Sequence, residues 1–547
     1  MKDHGEQLKN ILKLEPSLQL AKVIELVMEL IEENKHLREE NKQLREENKQ
    51  LKNEVRQLKD EIAILKNQPP RPKIGPSKLE AQPKVGDRKA NWSKGSKSHK
   101  LVIDEIVKIN LPLDEIPTGA EFKGYKPFIV QDLIITKKVT KYLLAEWRKP
   151  DGGYIFAKLP KSVEGGHFGV GLRQYVVHQY NANRVPQNRI HSDLSDKGIE
   201  ISIGQIDEIL KKVADQLQVE KEQLLEAGLE SECLQTDDTG ARHKGKNSFT
   251  TVICNDYFSY FKSSAHKSRI NFLEILCHGK IEYVITQESL DYIKSFKLAQ
   301  TTIICMQNLL GSNFANREVW EAFLKKELFG IITRRVLTEG ALIGALISRG
   351  TLTLDSILMS DGAGQFNLFK HVLCWIHIER SIKKIVPINE KDRLERDSIL
   401  DQFWDFYREL KEYKKEPSSE KKKHLENRFD EIFSFNATEI PLFQALKKIH
   451  DCKHQLLLVL DHPNIPLHNN TSERDIREYV TKRKVSGGTR SDAGRDARDT
   501  FISLYKTCKK LGISFWQFLD DRLSYINKMP QLVILVRRKR AQSYPGP

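Results

Sequence analysis

The stretch LQTDDTGARHKGKNSF sets two aspartates side by side, Asp237 and Asp238, directly after residues patterned as a strand. Neighbouring side chains of a strand point to opposite faces, so only one of the two can look into any given site. Two further acids have comparable settings. Asp361 closes the apolar strand candidate in LDSILMSDGAGQF, and Glu473 falls in the first turn of a helix that begins near Thr471. Each has a local alternative. Asp361 with Gly362 also spells a hairpin turn, although the following AGQFNLFKHVLCWIHIERSIKK is not an alternating partner strand. Glu473, three residues after Asn470, fits a capping box. Helical spacing also puts it on the face of Ile476 and Val480, where a carboxylate facing inward needs a strong partner such as a divalent cation.

Three such acids, if they converge, would hold two Mg²⁺ ions about 3.5–4 Å apart, with Mn²⁺ as an acceptable substitute. One ion then activates an attacking oxygen and the other steadies the leaving oxygen of a phosphodiester. A chain of 547 residues supplies many triples of acids, so spacing by itself does not select these three. Around the glutamate cluster Arg474, Arg477, Lys482, Arg483, Lys484 and Arg490, the last in the loop SGGTRSDAGRD. Beside a metal site these side chains would grip phosphates, and the glycines would let backbone approach a DNA strand. The alternative for such a run is a solvated face.

The elements that must position these groups follow from periodicity and composition. Residues 1–66 carry a heptad repeat, with Leu30, Leu37, Leu44, Leu51, Leu58 and Leu65 at d and Asn34, Asn41, Asn48, Val55 and Ile62 at a. In that register Glu40, Glu47 and Glu54 at g face Arg45, Lys52 and Lys59 at e of a parallel partner, which predicts a parallel homodimeric coiled coil. Residues 67–100 hold five prolines and nine Lys or Arg against two acids, a basic linker composition. Residues 101–170 pattern as a small β-rich module with a turn at KPDGG. Residues 171–230 pattern as helix, turn and a second helix capped by Ser202 with Ile203, Ile206, Ile209 and Leu210 inward. That is a helix-turn-helix-like segment, with Gln187, Arg189 and Gln205 as its candidate DNA contacts. Residues 231–385 begin with three closely spaced strands, an antiparallel meander, and contain both aspartates of interest. Residues 386–460 read as an inserted helical block, and 461–547 as the glutamate helix with a basic tail. The fold class is therefore α/β with a mixed sheet.

The formal charge of +15 favours a polyanionic partner, nucleic acid above all. Seven scattered cysteines without close pairs, no apolar leader and no long apolar run predict a cytoplasmic, nucleoid-associated protein without a membrane span.

The strings TDDTGARHKGK, ILMSDGAGQF, HVLCWIHIERSIKK and IPLHNNTSERDIREYVTKRKVSGGTRSDAGRDARDTFISLYKTCKKLG resemble, in order and content, the IS-sixty-six family of insertion-sequence transposases. The resemblance runs over about 229–519. It implies an RNase H-like catalytic core of the DDE class, with catalytic and metal-binding roles for Asp237, Asp361 and Glu473. It also makes Asp238 a bystander, expected to pair with a base such as Arg242 or to cap the turn. Cys374 and His377 form a Cys-x-x-His pair like one found after the second aspartate in transposases with helical insertions, for which a structural role is expected. The cysteine-rich segment of many relatives is absent here, Asp238 replaces a common glutamate, and a long stretch precedes Asp361.

Together these readings predict a transposase that cleaves the ends of an insertion sequence and joins the freed 3′-hydroxyls to target DNA. Its partners would be element-end and target DNA and a second copy or more through the coiled coil. Accessory proteins of the same element are a further class of partner. A transposase-derived DNA-binding regulator and an RNase H-like nuclease without strand transfer are the alternatives.

Overall fold

The computed structural model describes residues 102–543, apart from 113–114, 118, 164–165, 435–436 and 438–439, together with isolated positions between 28 and 54. The chain divides into two units, Met1–Ile129 and Val130–Pro547. In the first unit the described positions from Met28 to Glu54 are helical. Every a and d position of the predicted coiled coil, and the basic linker, lie outside the described residues. Residues 102–129, where described, are exposed and almost wholly without regular structure.

In the second unit the predicted β-rich module contracts to one hairpin. Strand β1 (Glu146–Arg148) pairs antiparallel with β2 (Tyr154–Phe156) across the KPDGG turn, as expected there. The apolar residues before it are extended and exposed, Leu133 at 79% and Ile134 at 81%. Alternation alone creates no ladder without a neighbouring strand to take up the hydrogen bonds.

Helices α1 (Val170–Asn181), α2 (Gln187–Asp196) and α3 (Ile203–Leu229) follow. The predicted Ser202 cap is a full capping box closed by Gln205. Ile206, Ile209 and Leu210 are buried as expected, whereas Ile203 is 46% exposed, because the first turn of α3 overhangs the core.

The central sheet begins with β3 (Cys233–His243), β4 (Lys246–Cys254) and β5 (Ser259–Ser264), the antiparallel meander expected from the sequence. Lys244 and Gly245 both have positive φ (49° and 76°), the two-residue turn whose twist matches a β-hairpin. Then come α4 (Arg269–Leu276), β6 (Tyr283–Val284), α5 (Gln287–Lys294), α6 (Gln300–Asn308), β7 (Asn313–Phe314), α7 (Arg317–Lys326) and α8 (Ile331–Ser348), with β6 and β7 forming a small antiparallel pair. Strands β8 (Ile357–Ser360) and β9 (Lys370–Leu373) return to the main sheet, parallel to β3, in the order β5-β4-β3-β8-β9.

After β9 come α9 (Trp375–Lys383) and a helical block of α10 (Glu390–Lys415), α11 (Ser419–Ile432), α12 (Ile440–Asp451) and α13 (Lys453–Leu457). The block has its own aromatic core, into which Trp375 inserts against Phe403 and Phe406 with ring centroids 5.7 and 5.4 Å away. The chain closes with α14 (Asn470–Ser486), α15 (Asp492–Leu511), α16 (Phe515–Leu523) and α17 (Leu532–Ser543).

Helices cover both faces of the meander. On one face Ala241, Val252, Cys254 and Phe261 pack on Ile476 and Tyr479 of α14 and Ile502 of α15. On the other, Leu234, Ile253 and Tyr260 join the large core with α3, α4 and α8. The outer edge of β5 is closed by side chains. Asp499, Ser503 and Thr507, at four-residue spacing on α15, accept the backbone N–H groups of Ser263, Phe261 and Ser259 at 2.7, 2.9 and 3.1 Å. One helix face thus replaces the missing strand and removes an exposed edge.

Candidate active site

The pleat separates the two aspartates. Asp237 pairs with Val252, whose side chain packs toward α14, while Asp238 pairs with Thr251 and takes the opposite face. In the parallel pair, Gln235 stands beside Met359. Asp237 lies two residues further along β3, on the same side of the pleat as Gln235, and Asp361 lies two residues after Met359, just past the end of β8. Gln235 reaches α14 as well, its Oε1 accepting the backbone N–H of Ser472 at 3.4 Å.

Burial first, and then the charge of Asp361, push the Asp237 carboxyl up to about 7, with Asp238 and Glu473 adding to the effect while the backbone N–H of Asp238 opposes it. Asp361 and Glu473 therefore both bear on Asp237, although 124 and 112 residues of chain separate each of the three acids from the next. Asp361 lies just past β8, where its Oδ1 accepts the Ala363 N–H at 3.0 Å. The chain then enters a 3-10 turn, Gly364–Phe366, and returns as a parallel strand, so the Asp-Gly pair closes no hairpin.

Glu473 sits in the first turn of α14. The cap residue is Asn469, without a side-chain cap bond, so the alternative capping box with Asn470 is not formed. The Glu473 carboxylate instead faces α9. Arg380 Nη1 lies 3.2 Å from Oε1 and 3.3 Å from Oε2, and His377 Nδ1 lies 3.6 Å from Oε1. Cys374 caps α9, and its sulfur accepts the backbone N–H of Asn469 at 3.4 Å. One ligand atom each of Cys374, His377 and Glu473 lie within 4.8 Å of one another. Burial pushes the Cys374 thiol up to about 11, the reverse of what a thiolate ligand needs.

Asp238 does not pair with Arg242. Arg242 Nη2 donates to the Gly245 carbonyl, and Asp238 receives Gln365 Nε2 at 2.5 Å, with Lys267 3.7 Å away. The pleat aims Asp238 at the β8–β9 loop, whereas Arg242 lies on the hairpin end beyond its reach.

Of the basic residues around Glu473, Arg474, Arg477, Lys484 and Arg490 are exposed and Arg483 is half-buried. Lys482 is a correction. It is 2% exposed, its Nζ donates to the Tyr180 carbonyl and lies 3.6 Å from the centre of that ring, so it holds α14 to α1 and faces no solvent. The loop glycines also act within the protein. Thr489 N–H donates to the Arg242 carbonyl at 2.9 Å, and a Cβ on Gly488 would come 2.5 Å from that oxygen. Gly488 lets the loop lie against β3.

In the helix-turn-helix-like segment, Gln187 donates to Asp207 at 3.1 Å, Gln205 is used in the Ser202 capping box, and Arg189 is exposed. Sequence reasoning missed Arg380 and Asp475. Arg380 was within reach, since it follows His377 at i+3 spacing and so is its neighbour on the surface of α9. Asp475 is 1% exposed and is held by Lys510 at 2.7 Å, Lys506 at 3.0 Å and Ser259 Oγ at 2.6 Å.

Residues 165–277 and 341–497 match the Transposase IS66 family. A protein of Sinorhizobium fredii described as uncharacterized protein y4jO is 38% identical over 304 residues, which is 55% of this chain and 94% of that relative. The chain belongs to the IS66 transposase family. Its match brackets both aspartates and the glutamate and leaves out 278–340, the segment that carries β6, α5, α6, β7 and α7. No helix among the described residues is long and apolar enough to cross a membrane.

Proposed function

We propose that this IS66-family protein is a DDE transposase that cuts the ends of its element and joins the freed 3′-hydroxyls to target DNA. The observation that carries the reading is the placement of Asp237 on β3 and of Asp361 just past the end of its parallel neighbour β8, each two residues beyond the paired Gln235 and Met359, with Glu473 of α14 bearing on the same carboxyl. The strand order β5-β4-β3-β8-β9, with an antiparallel meander and two parallel strands, supports an RNase H-like core.

The donor set fits hard divalent cations. It consists of carboxylate oxygens, and burial together with the neighbouring acids raises the Asp237 carboxyl to about 7, a cost that a bound cation would relieve. Asp237, Asp361 and Glu473 would hold two Mg²⁺ or Mn²⁺ ions. Such ions, when bound, activate an attacking oxygen and stabilise the leaving oxygen in an in-line displacement. The protein's part is to release the Asp237 proton, to keep the three carboxylates convergent, and to bring the phosphate backbone against Arg474, Arg477, Arg483, Lys484 and Arg490. Water would attack first, and the freed 3′-hydroxyl would then take its place at the same acids. Arg189 is the proposed contact in the helical segment, and the heptads of residues 1–66 would pair two copies in parallel.

The test incubates purified protein with Mg²⁺ and labelled element-end DNA. Cleavage followed by joining is expected, and Asp237→Ala, Asp361→Ala and Glu473→Ala should each abolish it while end binding persists. Binding without cleavage would identify a regulator, and cleavage that never leads to joining a nuclease.

A further inference from the structure

Helix α9 meets the glutamate helix at two places, the cap and the carboxylate. Cys374 receives the N–H of Asn469, the cap residue of α14, and Arg380 spans both oxygens of Glu473. Trp375, in the same first turn of α9, locks the helix into the aromatic block, its Nε1 donating to the Leu456 carbonyl at 3.2 Å. Arg380 thus projects from a firmly seated helix.

Its contact with Glu473 is nevertheless loose. One nitrogen serves both oxygens at 3.2 and 3.3 Å, whereas a strong pair of this type uses two nitrogens in a fork at about 2.7–2.9 Å. Asp475, two residues along α14, shows the contrast. Lys510 and Ser259 hold it at 2.7 and 2.6 Å, and its side chain is almost fully enclosed. The Arg380 and Glu473 side chains keep 25% and 15% of their surface open. Of two acids on one helix, one is locked in place and the other is held by a partner it can exchange.

We propose that Arg380 is a positioning residue that stands in for the divalent cation at Glu473. Without the cation it neutralises the carboxylate and holds it in place, and on loading it yields those oxygens to the cation. Arg380 and the cation therefore compete for one ligand. In the free protein the guanidinium offsets the charge of Glu473, and once released it is placed to meet a DNA phosphate. The inference rests on reading Glu473 as a metal ligand.

The experiment measures Mn²⁺ binding to the full chain without DNA, from the shift of the thermal midpoint with Mn²⁺ concentration. The proteins are wild type, Arg380→Ala, Arg380→Lys and Glu473→Gln. Removing the competing charge should tighten Mn²⁺ binding in Arg380→Ala about tenfold. Its end cleavage at saturating Mn²⁺ should fall about tenfold or more, because no released guanidinium is left to meet the DNA phosphate. Arg380→Lys, which keeps the charge, should return the Mn²⁺ affinity to near wild type and serves as the probe if the alanine variant folds poorly. Unchanged or weaker Mn²⁺ binding in Arg380→Ala would overturn the proposal. Glu473→Gln separates the two levels: if it leaves Mn²⁺ binding intact, the assignment of Glu473 as a ligand fails, whatever Arg380 does.

Discussion

Asp237 on β3 and Asp361 just past the end of the parallel strand β8 each lie two residues beyond the paired Gln235 and Met359, and after burial Asp361 is the group that most raises the Asp237 carboxyl. That relationship makes an ionised Asp237 costly. With Asp237 held up to about 7 against an ordinary 3.8, the folded protein keeps a proton that the unfolded chain has lost. The native state binds more protons across that window, so stability falls as pH rises through it. Asp237→Asn should remove this dependence and, at pH 8 without metal, be more stable than wild type by about 1–2 kcal/mol after allowance for solvent screening. Urea unfolding at pH 5 and pH 8 measures it. Lower stability of the variant at pH 8 would show that the carboxyl is not crowded. Mn²⁺ affinity of the wild type should rise with pH up to about 7 and level off above, since that proton must leave.

Asp475 should behave in the opposite way. Burial acts to raise its carboxyl, but Lys510 and Lys506 overcome that and bring it below the ordinary value. Its contribution to stability is present above pH 3.8 and is lost as pH falls through the lowered value. Asp475→Asn leaves two lysines facing each other without their acid, at a cost of about 3–5 kcal/mol. Chemical denaturation should register this loss, and a change under about 1 kcal/mol would mean that the cluster is solvated.

The buried Lys482 gives a test that distinguishes a strut from a DNA contact. Lys482→Met should leave the DNA affinity and its salt dependence unchanged, whereas Arg474→Ala, Arg477→Ala or Arg490→Ala should each flatten the salt slope by about one. Titrations of element-end DNA at several salt concentrations provide the comparison. A reduced slope for Lys482→Met would contradict its placement against Tyr180.

Gly344 tests how the segment absent from the family match is seated. A Cβ at this position of α8 would come 2.2 Å from the Val284 carbonyl oxygen and 2.3 Å from Ser289 Oγ, so β6 and α5 would have to move away. Gly344→Ala should cost about 2–3 kcal/mol. Gly204→Ala in the first turn of α3, where the nearest atom is Ser202 Oγ at 3.8 Å, should be neutral or stabilise by up to about 1 kcal/mol. Thermal unfolding of the two variants should move in opposite directions or differ by several degrees.

The sequence by itself determined the parts of this protein that depend on neighbours in the chain. The meander β3-β4-β5, the Ser202 cap and the apolar strand running into Asp361 were all legible, because a turn or a cap involves residues within a few positions of one another. The motifs pointed to the transposase family for a related reason, since the order of short strings survives without any knowledge of their packing. Tertiary structure decided which partner each charged group has. Lys482 and Arg474 look alike in the sequence, yet one is buried against α1 and the other is exposed, because α14 lies with one side on the sheet. Arg380 meets Glu473 across 93 residues, and Asp238 meets Gln365 across 127. Such pairs depend on how the strands are ordered and where the helices cross them, and long-range packing leaves no periodic trace in the chain. The doubled aspartate shows both limits: the pleat requires the two side chains to part, and only the packing of α14 on one face decides that Asp237 takes that face while Asp238 turns to Gln365.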